Sequence, residues 1–263
     1  MRKRTRNKHN PQHFSRMRTD ILDLIETTPP QHSNAWFRMR LGNITGSQVG
    51  RLMKAGRKDG ELSADAQAYI KEIVAERMLS EAVKEIDMFL EEYIDLVTPS
   101  SRAMAWGSDH EREALGLYAS LTKNKVTRCG SLQHEREPHF WDSPDGTVLE
   151  ANGTVEIKCP MPKTHAEYML NVRDGESLKK IKAEYYWQCF AHMAVTGAEW
   201  CDWMSYNPFL KPSLHVVRIR REDEPMAQML DAVHTADYLA DQLVDCARTN
   251  ASVTLKRTCH SDS

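Results

Sequence analysis

The sequence predicts an α/β domain. Residues 143–160 carry a hairpin pattern, and 200–206 and 214–220 read as two further strands. Around them run segments of helical periodicity, ending in a long amphipathic stretch over 225–248. At 263 residues the chain suffices for one large domain or a core with appendages. We expect a basic flexible arm over 1–18, a single domain over 19–250 and a disordered tail over 251–263.

Composition excludes several classes. The hydrophobic share of 41% and charged share of 27% are those of a soluble globular protein. No run of about eighteen apolar residues occurs, so no membrane span is expected. No apolar core follows the basic start, which is not the pattern of a secretory signal. The six cysteines include no C-x-x-C pair and no tight cluster-binding group, so reduced thiols are expected. Net charge is −2, but 1–18 holds seven Lys/Arg and no acid, leaving the remainder near −9. Any nucleic-acid contact by the body must therefore be local.

Taken in order, a short helix is expected near 20–26, stopping before Pro29-Pro30. In 36–53, Gly42 and Gly46 frame a turn, and Thr45 or Ser47 can cap a helix through Val49 and Leu52. Arg40 beside that hydroxyl and the free N–H groups would suit an anion; a plain cap with a surface arginine is the other reading. Ser63 caps a helix whose apolar positions are Tyr69, Ile70, Ile73, Val74 and Met78. The 81–96 stretch is acidic and amphipathic and would repel phosphate, so we expect it away from nucleic acid.

A helix opens at 103–114. Ser108 and Glu111 have capping-box spacing, yet Glu111, Ala114, Leu115 and Tyr118 also share one inward-looking face; both readings stay open. His110 and His134 each begin a near-miss to H-E-x-x-H, and both lack the second histidine. After a turn at 171–175, a helix is expected from about 177 to 195, with Tyr185, Gln188, Cys189 and His192 on one stripe. In the last helix Met226, Met229, Leu230, Val233 and Leu243 should face inward.

The stretch SPDGTVLEANGTVEIKCP, residues 143–160, carries the chemistry. Asp145 and Glu156 can hold a hard divalent cation through oxygen, and Lys158 can orient or deprotonate a water beside it. Asn152-Gly153 signals a two-residue turn. That register, however, sets Asp145 opposite Pro160, roughly 13 Å along the strand from Glu156 at about 3.3 Å per residue. One cation with ligands at about 2–2.5 Å cannot span this. We therefore expect a longer loop over 149–153, or failing that a bulge.

Pro144-Asp145 followed by Glu156-Ile157-Lys158 resembles the PD-(D/E)xK nuclease signature. More narrowly, the chain resembles the phage lambda exonuclease, or YqaJ-type viral recombinase, family over about 34–220. The matching blocks are WFRMRLGNITGS at 36–47, AMAWGSDHE at 103–111, SPDG at 143–146, EIKCP at 156–160 and YYWQ at 185–188. The resemblance implies a restriction-endonuclease-like core, a central mixed sheet flanked by helices. It implies a Mg²⁺-dependent 5′→3′ exonuclease that degrades one strand of linear duplex DNA, leaving 3′ single-stranded tails for recombination by strand annealing. Mn²⁺ is a candidate substitute ion.

By the same resemblance, Asp145, Glu156 and the Ile157 carbonyl would ligate metal. Lys158 would position or activate the water, and Glu111 would help hold it or a second ion. Arg40, Ser47, Ser143 and Gln188 fall at 5′-phosphate-binding positions, and Met104 at an apolar wedge for the terminal base pair. Implied partners are double-stranded DNA ends, two further copies in a homotrimeric ring, and a single-strand annealing protein. The implied location is the cytoplasm of a bacterial host, as a phage or prophage product. Phe190 stands where the family often has a second glutamine, and the Asp145–Glu156 interval is one residue longer than in the lambda enzyme. A structure-specific or restriction-type endonuclease on the same core is the alternative. A DNA-end protein with a degenerate site is opposed by the intact Asp145, Glu156 and Lys158.

Overall fold

A computed structural model describes residue 25 and residues 27–259 except 59 and 99–101, with backbone only at 102–105, 108 and 251–259. The arm expected at 1–18 and most of the helix expected at 20–26 lie outside the described residues.

The centre is a four-stranded mixed sheet in the order β4-β5-β6-β7: β4 Gly146–Val148, β5 Gly153–Lys158, β6 Trp200–Tyr206 and β7 Leu214–Arg220. β5 and β6 run parallel; the outer pairs are antiparallel. A parallel pair needs a long crossover. Here it is three helices: α7 Pro162–Asn171, α8 Gly175–Ile181 and α9 Ala183–Thr196. The sequence suggests one helix over 177–195; Lys182, at φ −145° and ψ 73°, breaks it in two.

Before the sheet come α1 Asn34–Arg40, β1 Ile44–Thr45, α2 Gly46–Leu52, α3 Ala64–Arg77, α4 Glu81–Glu85, α5 Asp87–Val97 and α6 Arg102–Thr122. β1 joins β2 Leu132–Gln133 and β3 Phe140–Asp142 in a small sheet of order β1-β3-β2. The chain closes with α10 Asp223–Cys259, which runs past the expected boundary at 250.

Helices cover both faces of the main sheet. On one, Trp203 and Cys201 of β6 pack with Phe190 and Met193 of α9, in a core that extends to Ile73 of α3 and Met229 of α10. On the other, Val148, Val155, Ile157 and Met204 meet Ala114 and Tyr118 of α6. Ser63 caps α3, accepting the Ala66 N–H at 3.1 Å, and Tyr69, Ile70 and Ile73 are buried as expected; Met78 is instead exposed at the helix end. Along α10 the buried stripe is Met226, Met229, Val233, Ala236, Ala240 and Val244. That 3.6-residue repeat leaves Leu243 off the stripe, so its expected inward position is corrected.

The hairpin resolves the register conflict. β4 and β5 pair Gly146 with Val155, Thr147 with Thr154 and Val148 with Gly153. The tip is a 3₁₀ turn, Leu149–Ala151, followed by Asn152 in the left-handed region at φ 52°. The two-residue turn is thus replaced by the longer loop. The shift is four residues, an even number, so every side chain keeps its face. Trp200 braces this tip: its Nε1–H donates to the Ala151 carbonyl at 3.0 Å and its ring covers Gly153. A Cβ at Gly153 would lie 2.2 Å from Trp200 Cζ2. Gly153→Ala is therefore expected to lower stability by about 1–3 kcal/mol, checked by chemical denaturation.

Candidate active site

The observed register, continued one residue beyond β4, sets Asp145 across from Glu156. The Ile157 N–H donates to Asp145 Oδ2 at 2.6 Å. Alternation along β5 turns Glu156 and Lys158 to the face covered by α9. From α9 come Tyr185, Gln188 and His192; the last two are one helical turn apart.

Around this centre the contacts are specific. Lys158 Nζ pairs with Glu156 Oε1 and donates to Gln188 Oε1 at 3.2 Å; it sits 4.7 Å from the Tyr185 ring centroid. His192 Nε2 contacts the other oxygen of Glu156 at 2.5 Å, and Nδ1 contacts Asp142 Oδ2 at 2.5 Å. Asp142 Oδ1 accepts the Ser143 N–H at 2.8 Å. Ser143 Oγ accepts from Trp36 Nε1 at 2.9 Å, and the Arg40 guanidinium lies 4.3 Å over the Trp36 ring. Arg40 in turn reaches Ser47 Oγ at 3.4 Å. One chain of contacts thus runs from Arg40 and Ser47, through Ser143 and His192, to Glu156, Lys158 and Gln188.

Burial and charge set the protonation states. Burial drives the Asp145 carboxyl well above its ordinary range, and Glu156 and Glu111 push it further up; Lys158 and the Ile157 N–H pull back. Burial also pushes Glu156 up, but Lys158 and His192 outweigh it and hold this carboxylate ionised. For Lys158, burial favours the neutral amine, yet Glu156 and Asp145 raise its pKa above the ordinary lysine value. Burial likewise opposes a charged His192, and Asp142 and Glu156 prevail. Burial lowers the Arg40 pKa, with Asp142 opposing. In this arrangement Lys158 is an ammonium, suited to donating hydrogen bonds rather than removing a proton.

Glu111 settles between its two readings. Ser108 lies inside α6 rather than at its start, which removes the capping box. Glu111 faces inward, accepts from Arg128 at 2.9 Å, and acts electrostatically on Asp145. It lines a cleft of about 670 Å³ together with Gln31, Asp109, Arg112 and Arg128. Gln31 donates to the Pro144 carbonyl at 3.1 Å, which joins this cleft to the Asp145 segment. The side chain of Met104 lies outside the described residues. The acidic segment, expected far from nucleic acid, packs beside the helix that carries Arg40: Arg38 of α1 meets Asp87 at 2.5 Å, and Asn34 donates to Glu91 at 2.7 Å.

Among the described residues, no three His, Cys, Asp or Glu side chains converge as a formed metal cage. The reason is visible in the ion pairs, since Lys158 and His192 occupy both oxygens of Glu156 and Arg128 engages Glu111. The donor chemistry nevertheless fits a hard cation. Two adjacent carboxylates, one of them with its proton affinity raised first by burial and then by its acidic neighbours, supply hard oxygen donors. Binding an ion there requires Lys158 to release Glu156 Oε1.

Trp36, Asp142 and Arg128 received no role from the sequence, and neither did His192. The sequence signals for them are Trp36 at the head of the 36–47 block and His192 on the Gln188 stripe.

The family model described as the YqaJ-like viral recombinase domain matches residues 35–199. The chain belongs to this family. The match ends just before β6, so β6, β7 and α10 lie beyond it. The chain is also similar to the crystal structure of LHK-Exo, an alkaline exonuclease from Laribacter hongkongensis, at 28% identity and TM-score 0.68, covering 84% of this chain and 100% of that one. The same exonuclease in complex with dAMP gives identical values. A phage related exonuclease from Haemophilus somnus 129PT, at 14% identity and TM-score 0.55, covers 77% of this chain and 95% of that one and shares the fold. No match was found among curated proteins. This YqaJ-like member is thus a recombination-related nuclease on a restriction-endonuclease-like α/β core. Among its described residues, no helix is long and apolar enough to cross a membrane.

Proposed function

We propose that this chain is a Mg²⁺-dependent 5′→3′ exonuclease that degrades one strand of linear double-stranded DNA and leaves 3′ tails for annealing. One observation carries this reading. Asp145, the buried Glu156 and Lys158 form a single centre, linked through His192, Asp142 and the Ser143 backbone N–H to Ser143, Arg40 and Ser47. A metal centre alone would suit any phosphodiesterase. A basic and hydroxyl-bearing cluster tied to it suits a terminal 5′-phosphate, which would set the scissile bond one nucleotide inward.

Mg²⁺, or Mn²⁺ in its place, held by Asp145, Glu156 and the Ile157 carbonyl, would neutralise charge at the scissile phosphate and ease ionisation of water. Lys158, as an ammonium, would orient the attacking water or a phosphate oxygen. Glu111, on the wall shared with the cleft, would accept a hydrogen bond from that water. Gln188, whose Oε1 holds the lysine, would keep Lys158 aimed. The alkaline exonuclease captured with dAMP is consistent with a site that releases mononucleotides. A homotrimeric ring and a single-strand annealing protein complete the proposal; a mass measurement in solution tests the ring.

Polarity is tested with a linear duplex labelled on one strand at either end. Early release of the 5′ label with retention of the 3′ label supports the reading; the reverse order sinks it. On the same duplex, Arg40→Ala is expected to slow digestion of 5′-phosphorylated ends by about 10-fold or more, while 5′-hydroxyl ends change little. Equal losses on both would remove Arg40 from the phosphate pocket.

A further inference from the structure

We propose that His192, held by Asp142, is a positioning residue that fixes the Glu156 carboxylate for its cation and ties it to the strand end bearing Ser143. The proposal rests on the nuclease reading of the site.

His192 is fully buried in α9, and both ring nitrogens face carboxylate oxygens at 2.5 Å. Carboxylates accept only, so the ring donates on both sides. Glu156 has three side-chain torsions, the last broad and roughly two-fold. Pinning Oε2 removes that freedom and leaves Oε1, now paired with Lys158, as the oxygen open to a cation once the lysine releases it. Asp142 is itself fixed. Its Oδ1 accepts the Ser143 N–H, and a Cβ on Gly46 would stand 2.1 Å from that oxygen. Only glycine lets the start of α2 close so tightly on the carboxylate.

Stability alone is a poor reason for this arrangement. Two acids and a ring buried together lose hydration that their attraction only partly restores, and an apolar cluster of equal volume would serve a core at least as well. What the trio provides that an apolar cluster cannot is direction. It sets one oxygen of Glu156 and, through Asp142, fixes its distance from Ser143. Groups that orient a metal ligand from behind typically change metal affinity by about 10–100-fold when lost.

The test is calorimetric titration with Mn²⁺ alone, beside kcat and KM on linear duplex. His192→Ala is expected to weaken Mn²⁺ binding by about 10–100-fold and to lower kcat, with KM for DNA little changed. His192→Gln, whose amide can still donate to Glu156, is expected to recover part of both losses. Wild-type-like Mn²⁺ binding by a folded His192→Ala overturns the proposal, as does a loss that His192→Gln does not relieve. If His192→Ala does not fold, Asp142→Asn, nearly isosteric, decides: weakened Mn²⁺ binding supports positioning, and unchanged binding overturns it. A wild-type chain that neither binds Mn²⁺ nor digests DNA overturns the nuclease reading beneath it. A competent wild type with unaffected variants overturns the positioning role alone.

Discussion

Lys158→Ala is expected to lower the rate of DNA digestion by about 10²–10⁴-fold, the range for losing one positioned proton-transfer group or hydrogen-bond donor. The side chain is only a quarter exposed and is bonded to Gln188, a contact that does not depend on Glu156, so its ammonium is held in place before substrate arrives. Preorganised charge of this kind acts in low dielectric at little reorganisation cost. The same geometry predicts a signature that a general loss of structure would not show. Lys158 competes with a cation for Glu156 Oε1, so its removal should leave Mn²⁺ affinity undiminished or raised while kcat collapses. Titration beside single-turnover digestion separates the two effects. A variant with near-normal kcat would exclude Lys158 from the chemistry.

The largest structural effect is expected at Asp202, far in role from the nuclease centre. Its carboxylate accepts Tyr118 Oη at 2.7 Å and the Arg218 guanidinium at 2.7 and 2.8 Å, and Arg218 lies 3.6 Å over the Trp200 ring. This cluster joins α6, β6 and β7, and through Trp200 it reaches the hairpin tip. Asp202→Ala strands a hydroxyl proton on the fully buried Tyr118, whose remaining partners, Asn124 Nδ2 and the Arg218 guanidinium, are both donors. Arg218 is partly exposed and recovers water, which places the loss at about 2–3 kcal/mol rather than the larger cost of breaking a fully buried pair. For a domain of this size that corresponds to a fall in Tm of roughly 5–10 °C. Asp202→Asn keeps an acceptor and should lose less. Equal losses for the two variants would show that the carboxylate charge, not the mere presence of an acceptor, matters there.

How far the fold can be read from sequence depends on where the information lies. β6 and β7 occupy the expected residues because each is a seven-residue strand between strong breaks. β1 and β3, at two and three residues, are too short for any period to register. Asn152 does adopt the left-handed conformation that an Asn-Gly pair favours, but as the close of a 3₁₀ turn braced by Trp200, forty-eight positions away. Local turn preference is here overridden by a tertiary contact. At the site, Asp145, Glu156 and Lys158 were legible because their chemistry lies within one hairpin. His192 and Asp142 were not, since their contacts span 36 and 50 positions and a single stripe cannot reveal a partner on another element. Arg38 and Asp87, 49 positions apart, likewise draw the acidic helices toward the helix bearing Arg40 rather than away from it.

The measurement that bears most directly on the nuclease reading is digestion of linear and closed circular duplex of the same sequence, with Mg²⁺ and with the ion chelated. Progressive loss of the linear form, an intact circle and no reaction under chelation are the expected results. Cutting of the closed circle, or digestion undiminished by chelation, would contradict the account.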